Sequence, residues 1–112
     1  MSRPSVLVID AGLGNIGSVM AAFQRQDCAV QRASKPPSVE VVDVFTHAVL
    51  PGVGAFAAGM DALKTVGWDV WIKEVWRKAD RPLLGICLGM QLLASEGTEG
   101  ASQDGVISGL DL

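Results

Sequence analysis

The chain has 112 residues, 49% of them hydrophobic, with a mean hydropathy of +0.35, a net charge of -3 and an isoelectric point near 4.9. That allows one small domain with a genuine apolar core. The acidic balance argues against a nucleic-acid binder or a basic membrane-surface protein, no apolar run is long enough to span a bilayer, and no signal-peptide pattern opens the chain.

Ser5–Asp10 (SVLVID) is a continuous apolar run of strand length, the pattern of a strand buried on both faces. Glycines follow at 12, 14 and 17, and Ile16, Val19, Met20 and Phe23 then recur at helical spacing to about Gln26. Cys28–Arg32 reads as a second strand and Lys35–Ser38 as a loop. Val39–Val44 fits either loop or a short helix. His47–Leu50 is a third strand, ended by Pro51-Gly52-Val53-Gly54. Ala55–Lys64 reads as a helix broken at Gly67, and a second helix runs from Trp68 or Asp69 to Ala79, with Trp68, Ile72, Val75 and Trp76 on one face. Leu83–Ile86 is a fourth strand, followed by a helix from Cys87 to about Ser95, a loop to Gly105, and a possible further strand in Val106–Leu112.

Strands that alternate with helices predict an α/β fold: an open, doubly wound, mostly parallel sheet, flavodoxin-like or Rossmann-like, of about four strands in the order 2-1-3-4. Ligands bind such sheets at the carboxyl ends of the strands. Three glycine-rich turns fall there, after Asp10, Leu50 and Ile86. The first, Gly12-Leu13-Gly14-Asn15-Ile16-Gly17, matches a dinucleotide fingerprint. The acidic residue that should confirm it is missing from Gln31-Arg32-Ala33-Ser34, so tight packing of the first helix is the preferred reading, although Arg32 has the chemistry to hold a 2'-phosphate. The second, Pro51-Gly52-Val53-Gly54, alone is an ordinary turn into a helix. The third, Gly85-Ile86-Cys87-Leu88-Gly89, has the strand–turn–helix form of a nucleophile elbow. Its flanking residues must be small, its central side chain is pushed out above the sheet, and helix-start amides face that side chain and favour a thiolate. Beside such an elbow the amides of Gly52, Val53 and Leu88 become candidate oxyanion donors. Cys28 reads as a small apolar core residue. The two cysteines form no Cys-x-x-Cys pair, which suits free thiols in the cytoplasm.

The string Gly85-Ile86-Cys87-Leu88-Gly89-Met90-Gln91 resembles the nucleophile motif of the class I (triad) glutamine amidotransferases. Pro51-Gly52-Val53-Gly54-Ala55-Phe56 and Asp10-Ala11-Gly12-Leu13-Gly14-Asn15 narrow the likeness to the branch formed by the glutaminase subunits of imidazole glycerol phosphate synthases, of histidine biosynthesis; Ala11 departs from the aromatic residue usual there. The resemblance implies that Cys87 attacks the side-chain amide of glutamine to form a glutamyl thioester and release ammonia. It places Gly52, Val53 and Leu88 in the oxyanion hole and Gln91, with help from Glu99, on the amino-acid end of the substrate. It also implies delivery of ammonia to a (β/α)8-barrel cyclase subunit. No cofactor and no metal is expected.

The family's catalytic His-x-Glu pair has no counterpart here. The one histidine, His47, starts the third strand, about 10 Å or more below the rim that would display Cys87, and is rejected as the base. The expectation is therefore an N-terminal half of an amidotransferase domain, spanning 1–112, that alone is a very poor glutaminase or none. It is also expected to form a two-fold homodimer through the apolar surface the other half would cover. Two alternatives remain open at this stage: a non-catalytic α/β scaffold or binding domain with a relic cysteine, and a redox or hydrolase chemistry of Cys87 without a triad.

Overall fold

The computed structural model describes residues 3–102 and 105–112. Four parallel strands form the main sheet: β1 (Ser5–Ile9), β2 (Ala29–Ala33), β3 (His47–Gly52) and β4 (Leu83–Cys87). Their order is β2-β1-β3-β4, as the alternation of elements predicts. The fold is a flavodoxin-like α/β sheet.

Both sheet faces are apolar because successive strand residues point to opposite sides. Val6, Val8 and Val49 face α1 (Ile16–Arg25) and pack with Ile16, Val19, Met20 and Phe23. Leu7, Ile9 and Leu50 face the larger core built by α2 (Phe56–Val66), the tryptophan segment and a 3-10 turn at Val39–Val44. That turn settles the ambiguous stretch: Val42 is buried, whereas Val39, Val41 and Val44 are exposed.

The second predicted helix is not one regular helix. α3 (Trp68–Trp71) passes into a π-helical turn at Ile72–Trp76, closed by the Arg77 amide donating to the Ile72 carbonyl at 2.9 Å. The physical reason lies in the tryptophans. Residues five apart on an α-helix point about 140° away from each other. The wider turn brings Trp71 and Trp76 into a stack with ring centroids 5.6 Å apart, while Trp68 meets Trp71 edge-on at 5.3 Å. All three tryptophans are buried, so none contributes exposed apolar surface. Trp71 donates to the Pro37 carbonyl and Trp76 to that of Pro82. Arg81 lies over Trp76 and ties Asp43 (2.6 Å) and the Phe45 carbonyl (2.5 Å) to the start of β4. On the solvent side, Lys78 sits 2.6 Å from Glu74 and holds its carboxyl below the ordinary value, by a hydrogen bond first and by charge second.

The C-terminal part also departs from the pattern-based expectation. α4 covers only Leu88–Gln91, and tighter turns carry the chain on: the amides of Leu93 and Ala94 donate three residues back, to Met90 and Gln91. This leaves the carbonyls of residues 92–95 unused by the helix. The last four residues satisfy them: the amides of Gly109, Leu110, Asp111 and Leu112 donate to Ser95, Leu92, Ala94 and Leu93. Val106–Leu112 therefore adds no strand to the main sheet. Only Ile107–Ser108 (β6) is extended, paired antiparallel with Glu96–Gly97 (β5), and Leu110 is buried in the core.

Candidate active site

The rim at the carboxyl ends of the strands gathers the three glycine-rich turns. β1 and β3 stay paired only from Val6–His47 to Val8–Val49, whereas β3 runs on beside β4 to the pair Gly52–Cys87. Pro51 is tolerated in this central strand because β1 has already diverged, so no ladder bond needs its missing N–H. The split is the switch point of the sheet, where such folds place their ligands. The Leu13–Gly14 loop fills it: a Cβ built on Gly14 would lie 3.5 Å from the Val53 nitrogen, and one on Gly52 would lie 3.5 Å from both the Leu13 side chain and the Gly89 nitrogen.

The elbow is steeply turned. Cys87 has φ 54° and ψ -119°, a conformation that costs a non-glycine residue on the order of 1–3 kcal/mol. β4 ends at Cys87 and α4 begins at Leu88 with no residue between them. The sharpness is possible only because Gly85 and Gly89, two residues to either side, lack side chains. A Cβ on Gly85 would lie 2.6 Å from the Met90 backbone, and one on Gly89 would overlap the Leu50 carbonyl oxygen. The Cys87 side chain is consequently exposed on the rim, and Leu88 beside it is buried.

Among the proposed oxyanion donors, Gly52 is buried at the end of β3 and Leu88 opens α4 next to the thiol. Val53 is placed differently. Its N–H donates to the Leu13 carbonyl at 2.5 Å, and its side chain is 64% exposed. Gln91 stands exposed at the last position of α4. Glu99 reaches the same rim from the β5–β6 segment: its Oε1 accepts the Phe56 N–H at 3.2 Å and its carbonyl accepts the Ala57 N–H. It is the N-terminal cap of α2, whose own cap position, Ala55, has no side-chain acceptor. Sequence reasoning missed this, because a cap 43 residues away leaves no local signature. Glu99→Ala is expected to cost about 1 kcal/mol of stability, read as a lowered urea midpoint at unchanged slope.

His47 lies at the opposite pole. It occupies the first position of β3, and Gly52, the register partner of Cys87, occupies the last, which separates the two rings of residues by about 17 Å. It is exposed, and its Nδ1 lies 2.7 Å from the Thr46 hydroxyl. His47→Ala is expected to leave every property of the Cys87 thiol unchanged, measured as its alkylation rate. Cys28 is half-buried before β2, and Arg32 pairs with Asp10 at 3.7 Å. Asp10 also accepts the Gly12 N–H, and Asn15 caps α1 through the Ser18 N–H. The first glycine turn is thus closed by its own side chains.

An exposed cysteine on a strained elbow at the switch point of a parallel sheet defines a nucleophile-elbow α/β protein. The sequence pattern of the family described as glutamine amidotransferase class-I matches residues 7–106, and the chain belongs to that family. It is similar to imidazole glycerol phosphate synthase subunit HisH 1 of Prochlorococcus marinus (strain MIT 9313), 58% identical over 107 residues, which are 96% of this chain and 49% of that protein. It is also similar to the subunits of the same name from Legionella pneumophila (strain Lens), 42% identical over 102 residues, and HisH of Symbiobacterium thermophilum, 41% over 101 residues. These cover 91% and 90% of this chain and 46% of each relative. The chain spans about half the length of the curated relatives it matches.

Proposed function

We propose that this chain carries the nucleophile half of a glutaminase of the histidine-biosynthesis type. The observation that supports it most is the strained, exposed Cys87 between two glycines that tolerate no side chain. Cys87 Sγ attacks the side-chain carbonyl carbon of glutamine, and charge develops on the carbonyl oxygen. The amides of Gly52 and Leu88 face that oxygen, and that of Val53 joins them once it leaves the Leu13 carbonyl. The C–N bond then breaks, ammonia leaves with the proton it needs, and water hydrolyses the thioester. Gln91 and the second carboxylate oxygen of Glu99 hold the amino-acid end. Ammonia passes to a cyclase barrel docked on the rim where Leu13, Val53 and Gly54 are presented. Both free thiols suit the reducing cytoplasm.

The group that takes and returns the proton is not supplied by these residues. No hydrogen bond to Cys87 is made by any imidazole or carboxylate among the described residues, and the one imidazole is at the other pole. We therefore read residues 1–112 as the N-terminal half of an amidotransferase domain, with little or no turnover alone. The same observation favours a second reading, in which the chain is a non-catalytic scaffold and Cys87 a relic. An electrophilic ketone analogue of glutamine separates the two. The glutaminase reading expects it to alkylate Cys87, not Cys28, with protection by glutamine. Labelling that glutamine fails to slow would favour the scaffold.

Purified by itself, the chain is further expected to pair with a second copy through the exposed side of β4 and the start of α4, where Leu84 and Met90 face solvent. Sedimentation should show a dimer at high micromolar concentration; a monomer there would contradict it.

A further inference from the structure

We infer that Phe56 is a positioning residue, which ties Glu99, on the amino-acid end of the substrate, to the turn that carries the oxyanion donors. The inference rests on the glutaminase reading proposed above. The turn is held at its two ends by different parts of the chain. At one end Gly52 is fixed in the sheet as the register partner of Cys87. At the other, Phe56 opens α2 and is only 5% exposed. Its N–H donates to Glu99 Oε1 at 3.2 Å, and the next N–H, that of Ala57, donates to the Glu99 carbonyl at 3.0 Å.

The ring of Phe56 fixes the same two segments by packing. A Cβ built on Gly97, in β5, would lie 2.7–2.8 Å from Cγ, Cδ1 and Cδ2, so Gly97 lies against the face of the ring. One on Gly109, just after β6, would lie 3.0 Å from Cζ. One on Gly100 would lie 2.9 Å from the Ala55 Cβ. These three positions are bare because Phe56 and Ala55 fill their space. Val53 and Gly54 are then the short bridge between two fixed points, and Gly54 turns it with φ 115°. Glu99 gives one carboxylate oxygen to Phe56 and keeps the other for the ammonium group of glutamine. Substrate and oxyanion turn are therefore referred to one rigid group, and small displacements at such a site cost rate.

The test is inactivation of the 112-residue chain by the chloromethyl ketone that carries CH2Cl in place of the side-chain NH2 of glutamine. KI and kinact are followed at the Cys87 peptide, with iodoacetamide as a second reagent. Sγ adds to the ketone carbon and the carbonyl oxygen takes the negative charge. The carbonyl re-forms as sulfur displaces chloride, so kinact reads the oxyanion donors. Iodoacetamide passes through no such adduct and reads the thiol alone. Phe56→Leu is expected to lower kinact about tenfold, to change KI far less, and to leave the iodoacetamide rate unchanged. Glu99→Asp keeps the charge but is one methylene too short for the Phe56 N–H, and should lower kinact to the same extent. Glu99→Gln keeps an acceptor for Phe56 and loses the charge, so it should raise KI about tenfold and lower kinact far less. If Phe56→Leu fails to fold, the two variants of the exposed Glu99 decide by the same split. An unchanged kinact in a folded Phe56→Leu or Glu99→Asp, equal falls with both reagents, or a Glu99→Gln that loses kinact as fully as Glu99→Asp would overturn the inference. Saturation by the ketone and protection by glutamine would then still leave the glutaminase reading standing. Ketone labelling without saturation would overturn both.

Discussion

Gly89→Ala should leave no cooperatively folded protein. The added methyl group would occupy the space of the Leu50 carbonyl oxygen. Neither side can yield. Leu50 is fully buried in β3, paired in register with Gly85 of β4, and Gly89 sits in the first turn of α4 immediately after the elbow. Relief would require prising α4 off the sheet, and with it Leu88 and Leu92, both core residues. A loss above about 4 kcal/mol is expected, out of a total stability of about 5–15 kcal/mol for a domain of this kind. Circular dichroism and urea titration check it: a flat, midpoint-free titration is expected. A cooperative transition near the wild-type midpoint would show that the elbow is looser than its geometry states. Gly85→Ala should behave similarly, since its Cβ meets the Met90 backbone at 2.6 Å.

Cys87 should show the opposite relation between stability and chemistry. In a protein joined to the unmatched half of the Prochlorococcus relative, Cys87→Ala is expected to abolish glutamine hydrolysis, a fall of several orders of magnitude in kcat, as for loss of any nucleophile. Yet the chain itself should tolerate replacement. The left-handed φ of 54° is strained for alanine and free for glycine, so Cys87→Gly should be about 1 kcal/mol more stable than Cys87→Ala. Strain kept at this one residue, where a glycine would relieve it, is what a displayed nucleophile requires. Equal stability of the two variants would mean that the elbow stores no strain.

The sheet was legible because its strands are apolar on both faces and punctuated by glycine turns; SVLVI, HAVL and LLGI could be placed to within a residue or two at their ends. The elbow was legible because its glycines are a steric requirement written in consecutive residues. What escaped depended on distant partners. The capping role of Glu99 arises from chain reversal 43 residues after Phe56. The end of α4 at Gln91 is set by the last four residues, which take over the carbonyls of residues 92–95. The π-helical turn follows from stacking Trp71 on Trp76, which a strict 3.6-residue period cannot describe. The hydrogen bond from Val53 to Leu13 joins two loops whose proximity only the split between β1 and β3 creates.

The central claim is that these residues hold a displayed nucleophile without its base. Ammonia release from glutamine by the purified chain, with Cys87→Ala beside it, tests this most directly. The prediction is that the two proteins release ammonia at the same background rate. Turnover by the chain alone that Cys87→Ala abolishes would contradict it, and would place a working base within these 112 residues.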